Sequence, residues 1–359
     1  MGEKIRPIYF KKPDGEIVKL QNPAFLVGNG INYANGCDFS WKQLLFGILP
    51  KEMKKKIQNS GKSTDEYLSD LTYPEIAEMI LTKQSHKEYE KRSKKEFLAS
   101  IKDRIKNYLE NDTTSLSSHE KLVEFAKEYK IPILTTNFDR NFLRVLFPKQ
   151  NLTSIDLKWF RNEDDKTREY QTLKNAYYRK ERLSNKSDIH SEFAIWHIHG
   201  VVNQLKSLCL TNWDYGNYCT KIREISKKKD YTKALTGSTW IDIILDNDLI
   251  IMGLGLGSFE TDLRYLLIER HIKRKVANKF DDAEKSYPKI IYIYSKEHEE
   301  TDMASGKRAF FEALGVDCVP IPEDDIYKLK YLGIVDDNKA KYAKRNNRNK
   351  CLRILRRKR

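Results

Sequence analysis

The sequence predicts a doubly wound α/β fold, in which helices cover both faces of a parallel β-sheet. Five apolar segments rich in Ile, Val and Leu recur along the chain, and each has the length of a β-strand. Their apolar residues are continuous rather than alternating, which is typical of strands buried on both faces. Helix-like sequence separates each segment from the next, as the connections of a parallel sheet require. The predicted strands are residues 25–27, 131–135, 193–199, 249–254 and 289–295.

The composition is that of a globular protein. Hydrophobic residues make up 40% of the 359-residue chain and charged residues 33%, which is enough apolar sequence for a large core. Because no run of about 18 apolar residues occurs, the sequence predicts no membrane span. The first residues lack the apolar segment of a signal peptide, so we expect a cytoplasmic protein.

We predict one large domain at residues 1–335, followed by a short basic tail at 336–359. Two segments of the domain interrupt the alternation of strands and helices. Residues 51–125 have helical spacing throughout, and residues 151–192 are polar and rich in Lys, Arg, Asn and Tyr. Both are interpreted as insertions at the loop edge of the sheet, where lids and partner surfaces are common.

The formal net charge of +15 is unevenly distributed. Residues 338–359 hold eleven Lys or Arg residues and no acidic residue, so the rest of the chain carries only +4. As a free segment this tail has too little apolar surface to order itself. We expect it to dock on another subunit or on an acidic partner, with nucleic acid as the second choice.

The cysteines are scattered and form no Cys-x-x-Cys pair, so a zinc ribbon is not predicted. We expect reduced thiols and no bound metal. The five residues are Cys37, Cys209, Cys219, Cys318 and Cys351.

The first predicted strand runs into a glycine-rich loop, Gly28-Asn29-Gly30, and then into a helix that resumes near Trp41. Backbone amides between a strand and a helix can bind a phosphate. Taken alone, the pattern is more typical of a tight turn, because tight turns use the same residues.

The second strand ends in "TTNFD", which places Asn137 and Asp139 at the carboxyl edge of the sheet. Ligands of doubly wound sheets bind at this edge. An asparagine amide can hold a hydroxyl or a water molecule without adding charge. Asp139 is interpreted first as a cap for the helix that begins "RNFLRVLF".

The third strand, "AIWHIHGVV", delivers His197 and His199 to one face and ends at Gly200. A histidine at a strand end beside a glycine can act as a base in a pocket, although a single histidine is more often structural. His197 is interpreted as structural or as support for its neighbour.

A second strand–glycine loop–helix unit, "LIIMGLGLGSFETDLRYLL", lies at residues 249–267. Two such units suggest a ligand with two ends, such as a dinucleotide. Neither unit contains the Gly-Lys-Ser/Thr sequence of nucleotide triphosphatases, which argues against an ATPase.

In this order, the four motifs resemble those of the Sir2 superfamily over about residues 24–325. "GNGINYANGCDFSWKQLL" is similar to its first glycine-rich loop, and "TTNFD" to its Thr-x-Asn-x-Asp element. "HIHG" with "LTNWDYGNY" resembles its His-Gly strand and the Thr-x-x-Asp-Tyr that follows, and "GLGLGSFETDL" its late ribose and adenine loop. The resemblance implies a Rossmann-like catalytic domain that binds NAD.

Within the superfamily, the chain resembles prokaryotic NAD hydrolases of antiphage defence more than protein deacylases. Deacylases carry a zinc site of two Cys-x-x-Cys pairs, and their loop reads Gly-Ile-Pro-Asp-Phe-Arg. This chain has no such pair, and its residues 36–41 read Gly-Cys-Asp-Phe-Ser-Trp. The resemblance therefore implies cleavage of NAD to nicotinamide and ADP-ribose by an abortive-infection effector that is active within a complex.

The resemblance also implies roles for single residues. Asn137 is expected to position the attacking water or the ribose, and His199 to hydrogen-bond the ribose hydroxyls and accept the proton. The first glycine loop is expected to meet the pyrophosphate and the second the adenosine half. The expected NAD-binding residues are Gly28, Asn29, Gly30, Asn32, Thr136, Asp139, Gly253, Gly255, Gly257 and Ser258.

An NAD hydrolase is toxic when unregulated, and no nucleotide-sensing domain is evident in the sequence. We therefore expect a homo-oligomer, a separately encoded activating subunit such as an ATPase or nucleotide-processing protein, or both. Two alternatives stay open. One is an NAD-dependent deacylase or ADP-ribosyl transferase, and the other is a non-catalytic subunit that senses a nucleotide and binds nucleic acid through the tail. A weaker resemblance is to the AbiH-type phage-exclusion family, whose Gly-Asn-Gly start is similar.

Overall fold

A computed structural model describes residues 7–84, 90–110, 115–148, 193–202, 207–227, 239–258, 260–280 and 287–333. The strands in these ranges are β1 (Ile8–Lys11), β2 (Ile17–Leu20), β3 (Pro23–Val27), β4 (Ile133–Thr135), β5 (Ile195–His197), β6 (Asp248–Met252), β7 (Ile290–Ser295), β8 (Val316–Ile321) and β9 (Leu332–Gly333). The predicted polar insertion at 151–192 and the tail at 336–359 lie outside the described residues.

The helices in the same ranges surround these strands. They are α1 (Gly30–Tyr33), α2 (Trp41–Gly47), α3 (Lys51–Asn59), α4 (Thr64–Tyr67), α5 (Tyr73–Gln84), α6 (Glu90–Leu109), α7 (Ser117–Glu128), α8 (Asn141–Leu146), α9 (Asn212–Lys227), α10 (Trp240–Asp246), α11 (Thr261–Phe280), α12 (Glu299–Asp302), α13 (Ser305–Ala313) and α14 (Glu323–Ile326).

The main sheet has six strands in the order β5-β4-β3-β6-β7-β8, and all five pairings are parallel. The order runs outward in both directions from β3, so the predicted doubly wound fold is confirmed. The predicted strands correspond to β3, β4, β5, β6 and β7. Four of them, β4, β5, β6 and β7, are shorter than predicted. β6 ends before Gly253, which has φ +60°, and β5 ends before the turn at Gly200, which has φ +91°.

Successive residues of each strand contribute to different hydrophobic clusters. Leu26 and Ile251 belong to one cluster with α9, α10 and α11, whereas Phe25 and Ile250 belong to another with α7. Complete burial of such a side chain contributes about 1.5–3 kcal/mol to the free energy of unfolding. The continuous apolar sequence of the strands is thus explained by burial on both faces.

A small antiparallel sheet, in the order β2-β1-β9, was not predicted. Its strands are two to four residues long, and β1 pairs with β2 in the register Ile8↔Leu20. Phe10 and Leu332 belong to the same cluster as Phe25, so this small sheet packs against the main one.

Within residues 51–125, helices α3, α5 and α6 contribute to a third hydrophobic cluster, whereas α7 belongs to the cluster of Phe25. Met53, Ile76 and Ile101 are buried in the third cluster together with Phe138 and Leu210. Since Phe138 follows β4, these helices pack beside the carboxyl edge of the main sheet. The division of the chain into domain and insertions stays a prediction. Within the described ranges, no helix has the length and apolar character needed to cross a membrane.

Candidate active site

The loops after β3 and β6 pack backbone against backbone at the carboxyl edge of the sheet. The N–H of Gly28 donates to the carbonyl of Met252 at 3.1 Å, and the N–H of Gly30 donates to that of Gly253 at 2.8 Å. A Cβ atom on Gly30 would lie 2.5 Å from the Cα of Gly253, so a larger residue does not fit. The glycines are therefore needed for contact between the two loops, and the amides of Gly28 and Gly30 already have acceptors within the protein.

The loop after β6 contains backbone strain. Gly253 has φ +60°, and Leu256, which has a side chain, has φ +45°. Left-handed backbone at a non-glycine residue costs about 1–2 kcal/mol. Leu256 is fully buried, and its carbonyl accepts a hydrogen bond from Nε of Arg264 at 3.1 Å. These contacts hold the loop in a conformation of the kind that is often found at functional sites.

Asn137 follows β4, and a hydrogen bond fixes the nitrogen end of its side-chain amide. Its Nδ2 donates to the carbonyl of Gly28 at 3.3 Å, and its backbone N–H donates to Oγ1 of Thr135 at 3.1 Å. No described residue donates a hydrogen bond to its Oδ1. The amide oxygen can therefore accept a hydrogen bond from a ligand hydroxyl or a water molecule.

Asn32 and Asp139 belong to a buried polar network beneath the first loop. The Nδ2 of Asn32 donates to Oδ1 of Asn29 and to Oδ2 of Asp139, each at 2.9 Å. The Oδ1 of Asp139 accepts the N–H of Asn141, the first residue of α8, at 2.9 Å. This is a contact that a helix cap makes, although the residue at the N-cap position is Arg140. Burial raises the pKa of Asp139 to about 6, against the opposing effect of these hydrogen bonds.

His199 and Asp262 form a buried pair on two different elements. The Nε2 of His199 lies 2.9 Å from Oδ2 of Asp262, which is the second residue of α11. The other oxygen of Asp262 has no partner among the described residues. Because a carboxylate only accepts, the shared proton belongs to Nε2, and Nδ1 of a neutral His199 is then an acceptor. This is the arrangement of a base with an orienting carboxylate.

His197 contacts the backbone of the "TTNFD" motif. Its Nδ1 lies 3.1 Å from the carbonyl oxygen of Asn137, and its side chain is buried. Burial lowers the pKa of His197 to about 4, so the ring is neutral at neutral pH.

A cavity of about 610 Å³ opens between these loops. Its volume is within the range of about 300–1,000 Å³ that is usual for small-molecule sites. The lining residues are Asn29, Gly30, Tyr33, Ala34, Phe39, Ser40, Trp41, Leu44, Tyr73, Ile105, Leu109, Thr136, Asn137, Phe138, Asp139, Gly253, Leu254, Gly255, Glu260, Tyr292, Ile293, Tyr294, Ser295, His298, Glu323, Ile326 and Tyr327.

The structure brings most of the predicted site residues to this cavity. Seven of them line it: Asn29, Gly30, Thr136, Asn137, Asp139, Gly253 and Gly255. The other predicted residues are described but lie outside the lining: Gly28, Asn32, His199, Gly257 and Ser258. Gly28 and Asn32 contact lining residues from behind, whereas Ser258 is exposed. The binding roles of all these residues stay predictions.

Sequence reasoning did not single out the aromatic wall of the cavity. Trp41 stacks parallel to Tyr73, with ring centroids 6.5 Å apart, and meets Phe138 edge to face at 5.0 Å. Tyr73 lies far along the chain in the helical segment, so no local pattern connects it with Trp41. The position of Trp41 directly after the first loop was the available signal.

The polar lining residues that were missed include Glu260 and Tyr327. Glu260 precedes α11 and is 8% exposed. Tyr327 follows α14, and its hydroxyl, which has no partner among the described residues, lies where a Cβ on Gly253 would be. The contacts that bring these two segments together are tertiary. The acid in "SFETD" was the only sequence signal for either residue.

No group of three or more His, Cys, Asp and Glu side chains within the described ranges is arranged to hold a metal ion. That the protein needs no metal stays a prediction, to be tested with a chelator and by elemental analysis.

Comparison with known proteins supports a family assignment. The profile of the family described as SIR2-like domain matches residues 132–319, which include β4 through most of β8. Comparison with curated proteins gives no match. Because the family match covers more than half of the 359 residues, the chain belongs to the SIR2-like domain family.

Proposed function

We propose that this protein is an NAD hydrolase that cleaves NAD to nicotinamide and ADP-ribose. SIR2-like domains are typically NAD-dependent enzymes, which supports NAD-related activity in general. The observation that carries the finer proposal is the position of Asn137, whose amide reaches a cavity between two glycine loops at the carboxyl edge of the sheet. This is the edge where doubly wound sheets bind dinucleotides.

The cavity has features that suit the two ends of NAD. The aromatic wall formed by Trp41, Tyr73 and Phe138 offers flat apolar surface to a planar ring. Gly30 and Gly253 carry no side chains of their own, which suits the close approach of a pyrophosphate to the backbone of the two loops. The glycines would act here through close approach, because the amides of Gly28 and Gly30 are already hydrogen-bonded.

Hydrolysis of NAD makes limited demands on the enzyme. The nicotinamide leaves as a neutral molecule and needs no proton, while the ribose develops positive charge. The protein must hold the ribose, place a water molecule and accept one proton from it. The free acceptor Oδ1 of Asn137 is suited to placing the water or a ribose hydroxyl.

His199 is expected to accept the proton or to assist the group that does. Its pairing with Asp262 fixes the imidazole in one orientation. Because His199 lies outside the cavity lining, this role requires either a shift of the lining or a second residue between His199 and the substrate.

We also propose that the enzyme is an abortive-infection effector that works in an oligomer or with a separately encoded activating subunit. This part rests on the resemblance of the motifs alone. Mass measurement of the purified protein with and without the product of its neighbouring gene, combined with NAD turnover, tests it.

Product analysis tests the proposed activity. Chromatography of NAD incubated with the activated protein should show nicotinamide and ADP-ribose without any acyl-lysine peptide. Products that form only with an acylated peptide would support the deacylase alternative instead. Labelled ADP-ribose attached to protein would support the transferase.

A further inference from the structure

Tyr327 places a phenol hydroxyl at the point where the two glycine loops meet. The residue follows α14, lines the cavity and is 6% exposed. A Cβ atom built on Gly253 would lie 2.0 Å from the hydroxyl oxygen of Tyr327, 2.9 Å from the Cα of Gly30 and 3.1 Å from the nitrogen of Gly30. The hydroxyl therefore lies directly against the backbone contact that joins the loops after β3 and β6.

This hydroxyl has no hydrogen-bond partner among the described residues, although it is shielded from solvent. Most buried polar side chains have at least one partner, so such an exception calls for an explanation. Burial raises the pKa of Tyr327 well above its usual range. The hydroxyl therefore keeps its proton at neutral pH and is a donor that the described part of the protein does not use.

Packing fixes the tyrosine ring in this position. Tyr327 belongs to the hydrophobic cluster that contains Phe25 of β3 and Phe10 of the small sheet. The nearby Tyr331 belongs to the same cluster, and its hydroxyl donates to the carbonyl of Ile326 at 2.5 Å. Tyr331 thus has an acceptor within the chain, whereas the hydroxyl of Tyr327 is held beside the cavity without one. A donor that is oriented before its acceptor arrives is typical of a binding site.

A pyrophosphate in this cavity needs uncharged donors. No Lys or Arg lies among the described residues that line the cavity, so neither can neutralise a phosphate there. The N–H groups of Gly28 and Gly30 already donate to the carbonyls of Met252 and Gly253. A phosphate at the junction of the loops must therefore bind through other donors, and the unused hydroxyl of Tyr327 lies at that junction.

We infer that Tyr327 donates a hydrogen bond to a phosphate oxygen of the bound dinucleotide, where the ligand crosses the junction of the two glycine loops. The inference rests on the proposed function, which makes NAD the substrate, and it adds a binding residue that belongs to neither loop. Because the packed loops shield the hydroxyl, the contact requires the backbone at Gly30 and Gly253 to shift as the ligand binds. A hydrogen bond to a charged oxygen is stronger than one between two neutral groups. The dinucleotide thus supplies the acceptor that the described part of the protein does not.

Tyr327→Phe is the informative variant, because it removes the hydroxyl and keeps the packed ring. Tyr331→Phe is the matched control, since it makes the same change at a buried tyrosine of the same cluster that lies outside the cavity lining. Calorimetric titration with ADP-ribose and with adenosine should be measured for wild type and both variants. ADP-ribose carries the pyrophosphate and adenosine does not, so the two ligands separate a phosphate contact from a contact with the base or the sugar. Melting temperatures of the three proteins without ligand report the structural effect.

We expect Tyr327→Phe to weaken the binding of ADP-ribose by about 10–100-fold, the usual effect of losing a hydrogen bond to a charged group. Its affinity for adenosine should equal that of wild type. Its melting temperature should be no lower than that of wild type, because no hydrogen bond to a described residue is lost. Tyr331→Phe should show the reverse, with a lower melting temperature, since its bond to Ile326 is lost, and wild-type affinity for ADP-ribose.

Wild-type affinity of Tyr327→Phe for ADP-ribose would overturn the inference while leaving the proposed function in place. A melting temperature of Tyr327→Phe as low as that of Tyr331→Phe would also overturn it, because the hydroxyl would then have a structural partner. An equal loss of affinity for adenosine would place the hydroxyl against the base or the sugar and overturn the assignment to phosphate. If wild type neither binds ADP-ribose nor cleaves NAD in the presence of its activating partner, the proposed function itself fails and the inference fails with it.

Discussion

The Nε2 of His199 lies 2.9 Å from Oδ2 of Asp262, and both side chains are almost completely shielded from solvent. The pair joins the end of β5 to the start of α11, two elements that are distant in sequence. The remaining oxygen of Asp262 has no hydrogen bond from the described residues. His199 is therefore the main group that compensates the buried carboxylate.

This pairing gives a prediction about stability. His199→Ala should reduce the free energy of unfolding by about 3–5 kcal/mol, because it leaves a buried carboxylate without its partner. The double variant His199→Ala/Asp262→Asn should recover part of the loss, since the uncompensated charge is removed. Denaturant unfolding measures the free energy of unfolding of the single and the double variant. Equal stability of the two variants would contradict this account of the pair.

Asn137→Ala should behave differently. Its side chain makes one hydrogen bond, to Gly28 at 3.3 Å, so the free energy of unfolding should fall by only about 1 kcal/mol. Turnover of NAD should fall by about 10²–10³-fold, the usual cost of removing one group that acts on the reacting centre.

Asn35→Ala is the control for Asn137. Asn35 lies outside the cavity lining and bonds to His119 and to the N–H of Ser118. Its loss should lower stability and leave kcat unchanged. If the Asn35 and Asn137 variants lose activity in proportion to stability, the functional assignment of Asn137 is wrong.

The glycines after β6 should differ sharply in their tolerance of substitution. A Cβ at Gly253 would overlap the hydroxyl of Tyr327 and lie 2.9 Å from the Cα of Gly30, at φ +60°. Gly253→Ala should therefore destabilise the protein by about 2 kcal/mol or more. A Cβ at Gly255 would meet no atom within 4 Å, so Gly255→Ala should keep wild-type stability. Thermal unfolding of the two variants compares them, and equal melting temperatures would show that the loops are not packed as described.

The raised pKa of Glu260 predicts a pH-dependent difference in stability. Burial raises this pKa from 4.5 to about 7, so the folded state favours the protonated carboxyl. The stability that this group contributes is present below its unfolded pKa and is lost as pH rises towards 7. Glu260→Gln should therefore resemble wild type at low pH and be more stable above neutrality, by at most about 3 kcal/mol. Denaturant unfolding of both proteins across this range measures the difference. A difference that does not change with pH would mean that Glu260 is not held in a desolvated site.

The tail remains a prediction from sequence. Deleting residues 338–359, which hold eleven Lys or Arg residues, should reduce the mass of the assembled particle if the tail docks on another subunit. Binding through its Leu and Ile side chains should depend weakly on salt. Binding to nucleic acid should weaken by roughly one log unit per phosphate contact for each log unit of salt. Unchanged mass, turnover and nucleic-acid binding after deletion would show that the tail has neither role.

Much of the fold was predictable because burial on both faces leaves a local signature. The continuous apolar sequences of β3, β6 and β7 allow little other interpretation. β8 was missed because Asp317, Cys318 and Pro320 interrupt its apolar pattern, which is tolerated in a strand at the edge of the sheet. The small sheet was missed because β9 is two residues long and pairs with β1 from the far end of the described chain.

The candidate site was predictable only in part, for a related reason. Asn137 and the glycines follow strands directly, so their position at the sheet edge depends on local sequence. The placement of Glu260 in the cavity wall and of His199 behind it depends on how α11 packs against the end of β5. Such tertiary relationships leave no pattern in a single sequence.

The most direct test of NAD hydrolysis is to follow NAD by proton nuclear magnetic resonance in the presence of the protein and its activating partner. The account predicts that the signals of the nicotinamide ring in NAD are replaced by those of free nicotinamide, with an equal amount of ADP-ribose, and that Asn137→Ala gives no such change. NAD that binds to wild type but stays intact would contradict the account and favour a protein that senses the nucleotide without cleaving it.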